Sequence, residues 1–205
     1  MSSPSRTTIA GGLLFDGVSP LLAEATIVVV GENIVSITRP SAAEPAPAPA
    51  GSRDRDVVID ARGLTVLPGL VDCHTHLTAT GSPDIVAQVT GDSKVTATVH
   101  AVRAAAAYLR AGITTVRDCG ARGGVAIDVS RSVERGLLPG PGILAAGRAL
   151  TMTGGHGHFV GREADGPEQV RRATRAEIKD GAQFISTAAH GSTASATRQR
   201  RAGSS

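Results

Sequence analysis

Hydrophobic and polar residues alternate in short runs over the first part of the chain. Between residues 7 and 38 the apolar runs are interrupted at Gly31, Glu32 and Asn33, as a tight hairpin requires. This pattern predicts a small antiparallel sheet. Residues 41–56, SAAEPAPAPAGSRDRD, contain too many prolines for a helix or a central strand and predict an exposed loop. Apolar runs typical of strands then resume in DVVIDARGLTVLPGLVD.

The pattern changes at residue 93, where helical spacing begins to alternate with short apolar runs. In SKVTATVHAVRAAAAYLRAG the apolar positions recur at intervals of four, three, four and three, which predicts a helix from Asp92 or Ser93 to Gly112. The residues expected on its buried face are Val95, Val99, Val102, Ala106 and Leu109.

Two further helices are predicted, from about Val125 to Arg135 and from Pro167 to Gly181. The segments ITTVRD, GILAAG and AQFIST each follow a predicted helix and have the apolar character of strands. Strands that alternate with helices along the chain predict an α/β fold, in which a parallel sheet is covered by helices.

The composition is that of a globular protein. Apolar residues make up 41% of the 205 residues, which is ample for a buried core. The N-terminus lacks the features of a secretory signal, and no run of about 18 apolar residues could span a membrane. Cys73 and Cys119 are expected to be reduced thiols, packed as small core residues near strand ends, in a cytoplasmic protein.

The formal net charge of +3 does not indicate nucleic-acid binding. Arg198, Arg200 and Arg201 account for the whole excess, and residues 1–185 are electrically neutral overall. A single tyrosine, three phenylalanines and no tryptophan offer no row of stacking aromatic rings. We therefore expect neither a nucleic-acid partner nor a membrane partner.

The motif with the clearest chemical potential is LPGLVDCHTHL, residues 67–77, which has two histidines one residue apart. In a strand, a period of two places Asp72, His74 and His76 on one face and turns Cys73 to the other. At the carboxyl end of a parallel strand, two imidazoles could bind one metal ion. Histidines at strand ends also occur as ordinary hydrogen-bonded residues, so the motif alone leaves both interpretations open.

Several motifs in a fixed order resemble the metal-dependent amidohydrolase superfamily. They are GLTVLPGLVDCHTHL, AGITTVRDCG, GPGILAAGRALTMTGGHGH and ADGPEQVRRATRAEIKDGAQFI. Within the superfamily, the chain looks most like the branch of imidazolonepropionase-like enzymes and prolidase-like or Xaa-Arg dipeptidases. The resemblance covers nearly all of residues 9–185.

This resemblance implies the N-terminal half of a (β/α)8 TIM-type barrel over residues 66–185, preceded by a small β-sandwich portion over residues 1–65. It also implies one or two divalent metal ions, usually zinc, with His74 and His76 as ligands. The implied reaction is hydrolysis of a C–N bond in a small amide or dipeptide by metal-activated water. Assembly into a homo-oligomer is a further expectation.

Other residues near the implied site have two interpretations each. Asp72 is expected either to orient a ligand or to cap a backbone N–H group. Asp118 either orients a ligand or pairs with Arg117. The resemblance places His156, in the loop TGGHGH, near the substrate, with a structural or exposed position as the alternative. His100 is expected on the surface.

Two features depart from the family pattern. The family carries a lysine in the fourth barrel strand, whose carboxylated form bridges two metal ions; here Ser186 stands at that position, and a serine cannot form the carbamate. His190, where the family pattern has threonine, is a candidate replacement ligand.

Length is the second departure, because a complete barrel typically takes about 250 residues. Residues 66–185 have room for about four β/α units. We therefore expect a chain truncated after the fourth barrel strand, without the family's general-base aspartate, ending in a disordered tail over residues 186–205. Such a chain would have weak or no activity alone. The alternative is a non-catalytic half-barrel that binds metal or associates with another chain.

Overall fold

A computed structural model describes residues 5–39 and 56–188. The predicted loop at 41–56, except for its last residue, and His190 lie outside the described residues. The chain divides into two compact units, Met1–Pro68 and Gly69–Ser205.

Eleven strands and four helices occur in the described residues. The strands are β1 (Arg6–Leu14), β2 (Leu22–Val30), β3 (Asn33–Thr38), β4 (Val57–Asp60), β5 (Thr65–Val66), β6 (Leu70–Thr75), β7 (Ile113–Asp118), β8 (Gly142–Ala145), β9 (Leu150–Thr151), β10 (Arg162–Glu163) and β11 (Thr187–Ala188). The helices are α1 (Ile85–Gly91), α2 (Lys94–Arg110), α3 (Val125–Glu134) and α4 (Gly166–Asp180). None of these helices is long and apolar enough to cross a membrane.

The first unit contains one five-stranded sheet in the order β3-β2-β1-β4, with β5 also beside β1. The predicted hairpin is confirmed: Val30 pairs with Asn33, and Gly31 between them has a φ of +61°, which a two-residue hairpin loop favours. The sheet is mixed rather than wholly antiparallel, because β4 and β5 run parallel to β1. Within residues 5–39 and 56–68 the strands all belong to this one sheet, and the assignment of residues 1–65 to a β-sandwich portion stays a prediction.

The second unit has the predicted α/β character. Strands β6, β7 and β8 form a parallel sheet, and β10, β9 and β11 form a second parallel sheet. The strand ITTVRD and the helices α2, α3 and α4 all lie within a residue or two of their predicted bounds. The described strands do not close into a barrel.

The largest core cluster packs α2 and α3 against one face of the β6-β7-β8 sheet. Its members include Leu77, Ala101, Ala105, Val116, Val125, Val129 and Ile143. On the opposite face, Val71 and Leu144 are exposed. Because consecutive residues of a strand point to opposite faces, this sheet has one covered side and one open side.

The buried face of α2 differs from the predicted face. Ala101 and Ala105 are fully buried, whereas Val95 and Val99 are 75% and 52% exposed and Leu109 is also exposed. The alanines lie four residues apart on one face and, being small, let the helix backbone approach the sheet closely. Val102 packs against the core as predicted, but the prediction was wrong for Val95, Val99 and Leu109 because it gave too little weight to alanine.

Helix α2 begins at a side-chain cap. The hydroxyl oxygen of Ser93 accepts a hydrogen bond from the backbone N–H of Thr96 at 3.1 Å. Replacing Ser93 with alanine should lower the free energy of unfolding by about 1 kcal/mol, measured by urea denaturation. Ser132→Ala is the control, because the Ser132 hydroxyl donates to the carbonyl of Asp128 inside α3, where no helix-end N–H depends on it. Equal losses in both variants would contradict a specific capping role.

The predicted strand AQFIST begins later than expected. Within this segment, regular strand pairing is confined to β11. The backbone N–H of Gln183 also donates to the carbonyl of Ala145 at 2.9 Å, and the backbone N–H of Leu150 donates to the carbonyl of Ser186 at 2.8 Å. The segment therefore runs alongside the ends of β8 and β9, to which these hydrogen bonds connect it. This corrects the predicted tail, because residues 186–188 are ordered by backbone pairing, which does not need large apolar side chains. The rest of the tail, 189–205, lies outside the described residues.

Candidate functional site

The second unit contains a cavity of about 560 Å³. Residues just after the carboxyl ends of β6 and β7 line it, together with residues of β11. Its volume falls within the usual range for small-molecule pockets. The residues that line it are His74, His76, Thr78, Ala79, Ile85, Val89, Cys119, Gly120, Ala149, His156, Gly157, Phe159, Val160, Ser186, Thr187 and Ala188. The cavity thus joins three sequence-predicted residues, His74, His76 and His156.

The two neighbouring histidines lie together at the carboxyl end of β6. Their ring centroids are 5.4 Å apart, with an angle of 72° between the ring planes. Two residues lie between Asp72 and Thr75, whereas only one lies between their partners Val116 and Asp118 on β7, so β6 contains a bulge. The bulge interrupts the simple alternation expected from the sequence.

His76 has a hydrogen bond that defines its tautomer. Its Nδ1 atom lies 2.8 Å from the carbonyl oxygen of Gly120. A carbonyl oxygen can only accept, so Nδ1 is the donor, and in the neutral form of this ring the lone pair lies on Nε2. Gly120 has a φ of +151°, and a Cβ atom there would lie 3.3 Å from the backbone nitrogen of Ala149. Glycine therefore suits both the backbone conformation and the close approach.

Asp118 is fully buried at the end of β7. Its carboxylate accepts hydrogen bonds from the backbone N–H groups of Leu77 at 2.7 Å and Gly120 at 3.0 Å. Burial raises the pKa of the Asp118 carboxyl, while these N–H groups and the nearby imidazoles act in the opposite direction. Arg117 instead places its guanidinium 4.4 Å from the centre of the Phe184 ring, so the expected ion pair with Asp118 is replaced by backbone bonds.

Asp72 and the cysteines have different positions from the histidines. Asp72 accepts a hydrogen bond from the backbone N–H of His74 at 3.0 Å, the capping alternative, and does not line the cavity. Cys73 is exposed, which corrects its predicted core position, because it lies in the bulged part of β6. Cys119 is buried as predicted, and burial raises the pKa of its thiol.

His100 also differs from its predicted surface position. It is half-buried, and its Nε2 atom lies 3.5 Å from a carboxylate oxygen of Asp92. Asp92 is in turn hydrogen-bonded to Gln88 of α1. His100 therefore links α2 to α1 and does not line the cavity.

Helix α1 supplies one wall of the cavity and was not predicted. Asp84 caps it by accepting a hydrogen bond from the backbone N–H of Ala87 at 2.9 Å. The sequence SPDIVAQV contains this capping residue before an apolar run, but seven residues are too few for a clear helical period.

The side chains that line the cavity include few groups that could bind a metal ion. Among residues 5–39 and 56–188, no group of three or more His, Cys, Asp and Glu side chains is arranged to hold a metal ion. A tetrahedral zinc site needs four ligands, and catalytic sites usually take three of them from the protein. His74 and His76 are of the right chemical type, so a bound ion would require further ligands from water or from groups outside the described residues.

A sequence model of the amidohydrolase family matches residues 65–203. The chain belongs to the amidohydrolase family. The matched segment contains both histidines of β6, the buried Asp118 and Ser186, so the cavity lies wholly in the part of the chain that defines this membership.

Known amidohydrolase relatives are similar over most of this chain. Ochratoxinase from Aspergillus niger is 27% identical over 90% of the chain and 42% of its own length. A prolidase solved with N-methylphosphonate-L-proline is 32% identical, with a TM-score of 0.75 over 89% of this chain and 46% of that one. A Xaa-Pro dipeptidase solved with methionine in its active site is 31% identical, with a TM-score of 0.74 over 89% of this chain and 47% of that one. The chain spans about half the length of these relatives.

Proposed function

We propose that this chain carries the first metal-ligand pair and part of the substrate cavity of a metal-dependent amidohydrolase. Its reaction would be hydrolysis of an amide or dipeptide C–N bond in a small molecule. Residues 66–185 would form part of the family's barrel, and residues 1–65 part of its β-sandwich. The observation that carries the proposal is the hydrogen bond from His76 to Gly120, which leaves Nε2 of His76 free to act as a ligand beside His74.

Each side chain has a defined task in this proposal. His74 and His76 would hold a divalent metal ion, and their imidazole donors favour zinc. The carbonyl of Gly120 orients the His76 ring, as partners behind metal-bound histidines usually do. A bound zinc ion would lower the pKa of a water ligand and polarise the substrate carbonyl. His156, in the loop between β9 and β10, lines the same cavity and would contact the substrate.

Zinc binding by the full chain tests the proposal. We expect His74→Ala and His76→Ala each to weaken zinc affinity at least about tenfold, measured by calorimetry and by metal content after dialysis. His100→Ala is the matched control, because His100 is half-buried and pairs with Asp92 without lining the cavity. Its zinc affinity should equal that of the unaltered chain. If the chain bound zinc no more tightly than His74→Ala, the proposed ligand pair would be wrong.

A second candidate is a non-catalytic chain that binds metal or associates with another chain. It is favoured by the two-imidazole donor set and by Ser186, whose hydroxyl stands at the cavity where the family pattern has a lysine. Hydrolysis of N-acyl amino acids and dipeptides by the zinc-loaded chain would favour the enzyme. Stoichiometric zinc without turnover would favour the second candidate. Light scattering of the same sample tests for a homo-oligomer.

A further inference from the structure

Two apolar groups of residues, each referred to below as a wall, line the cavity that also contains the histidine pair. Ile85 and Val89 of α1 form one wall, and Phe159 and Val160 form the other. All four are half-buried, so their side chains are partly accessible to a ligand. No motif in the sequence indicates a function for these four residues.

The α1 wall is held against the loop that follows His76. Ile85, Gln88 and Val89 form the half-buried stripe of the helix, at the spacing of one helical face. The Gln88 side-chain amide donates to the carbonyl of Thr78 at 3.2 Å, and its oxygen accepts from the backbone N–H of Thr80 at 3.3 Å. Helix α1 therefore keeps a fixed position relative to the loop after β6.

The second wall is held by hydrogen bonds to the next segment of the chain. Glu163 accepts a hydrogen bond from the backbone N–H of Gly154 at 2.7 Å, and Asp165 accepts one from Thr153 at 3.1 Å. The rings of His158 and Phe159 pack edge to face with their centroids 5.6 Å apart. These contacts give the Phe159 ring a defined place on the wall.

The lining contains no fixed charge that could pair with an ionised ligand. Among the described residues, those around the cavity include three histidines and several hydroxyl groups, but no Asp, Glu, Lys or Arg. A guanidinium or ammonium group entering beside these apolar residues would lose hydration without gaining a counter-charge. An apolar group would instead bury its surface against carbon.

We propose that Ile85, Val89, Phe159 and Val160 form a subsite for an uncharged apolar side chain or acyl group of the substrate. This inference rests on the proposed function, because the subsite lies beside the histidine pair at which the C–N bond would be hydrolysed. It predicts a preference for amides of aromatic or aliphatic amino acids over amides of lysine or arginine.

Ligand binding without added metal tests the subsite separately from the reaction. The probes are N-acetyl-L-phenylalaninamide and N-acetyl-L-argininamide, which share one amide core and differ in the apolar or cationic side chain. Using the full chain and calorimetry or ligand-observed NMR, we expect the phenylalanine probe to bind at least about tenfold more tightly. Equal affinities, or tighter binding of the arginine probe, would overturn the proposal.

Variants on the two walls locate the subsite. Val89→Asp should weaken binding of the phenylalanine probe at least about tenfold, because it places a charge on the apolar wall. Val86→Asp is the matched control on the same helix, since Val86 is 46% exposed and does not line the cavity. Phe159→Ala removes the ring from the other wall and should weaken binding without introducing a charge. Unchanged affinity in both Val89→Asp and Phe159→Ala would overturn the proposal.

The two proposals can fail independently. If His74→Ala abolished zinc binding while the wall variants left probe binding unchanged, the subsite would be wrong and the metal pair would stand. If the chain showed the expected probe selectivity but bound no zinc, the subsite would stand and the proposed function would be wrong.

Discussion

Replacing Asp118 with alanine is expected to lower the free energy of unfolding by about 3 kcal/mol. The Asp118 carboxylate is fully buried and accepts hydrogen bonds from the backbone N–H groups of Leu77 and Gly120. Alanine would leave both donors without a partner in the interior, and each unsatisfied buried donor costs about 1–3 kcal/mol. Urea denaturation followed by circular dichroism measures the loss.

Two further variants identify the cause of that loss. Asp118→Asn keeps one acceptor oxygen and should be less destabilising than Asp118→Ala. Asp128→Ala removes a carboxylate that is more than half exposed and pairs with Lys94 at 3.2 Å, so it should change stability by less than about 1 kcal/mol. A loss in Asp118→Ala as small as that in Asp128→Ala would contradict the role assigned to the buried carboxylate.

Replacing Glu177 with alanine is the second change for which a loss of about 3 kcal/mol is expected. Glu177 lies on α4 with its side chain only 3% exposed, and its carboxylate contacts Arg162 at 2.7 Å and the side chain of Arg148 at 3.2 Å. It also accepts a hydrogen bond from the backbone N–H of Arg148 at 3.1 Å. Burial raises the pKa of the Glu177 carboxyl, and Arg162 acts in the opposite direction. Alanine would leave two partly buried guanidinium groups without their shared acceptor.

Glu168 provides the matched control on the same helix. Its side chain is 80% exposed and pairs with Arg171 three residues later, an arrangement that usually contributes less than about 1 kcal/mol. Glu168→Ala should therefore leave the urea midpoint nearly unchanged, whereas Glu177→Ala should lower it strongly with a similar slope. Comparable shifts in both variants would mean that burial does not set the contribution of Glu177.

Periodicity and capping residues predicted most helices of the second unit, because these features are local. Ser93 as a cap and Gly181 after α4 mark helix ends through contacts within one or two turns. Burial is not local, which explains the error for Val95 and Val99: the helix packs through Ala101 and Ala105 because the sheet lies close to that face. No spacing in the sequence distinguishes those two faces.

The histidine pair could be found from the sequence because both residues lie on one short segment. The bulge in β6 could not be found from the sequence, because it depends on how β6 pairs with β7. Cys73 is exposed because it lies in this bulge. The role of Asp118 as an acceptor of two backbone hydrogen bonds could not be predicted from the sequence either. Its partners are N–H groups of two different loops, and backbone donors leave no trace in a residue pattern.

The contacts around His76 form a closed loop of bonds. Asp118 binds the backbone of Leu77, next to His76, and also the backbone of Gly120, whose carbonyl accepts from the His76 ring. The hydrogen bond to Gly120 thus orients the His76 imidazole before any ligand arrives. Preorganisation of this kind lowers the entropy lost on binding. If His76 binds a metal ion as proposed, part of the entropy cost of ordering its ring has therefore already been met in folding.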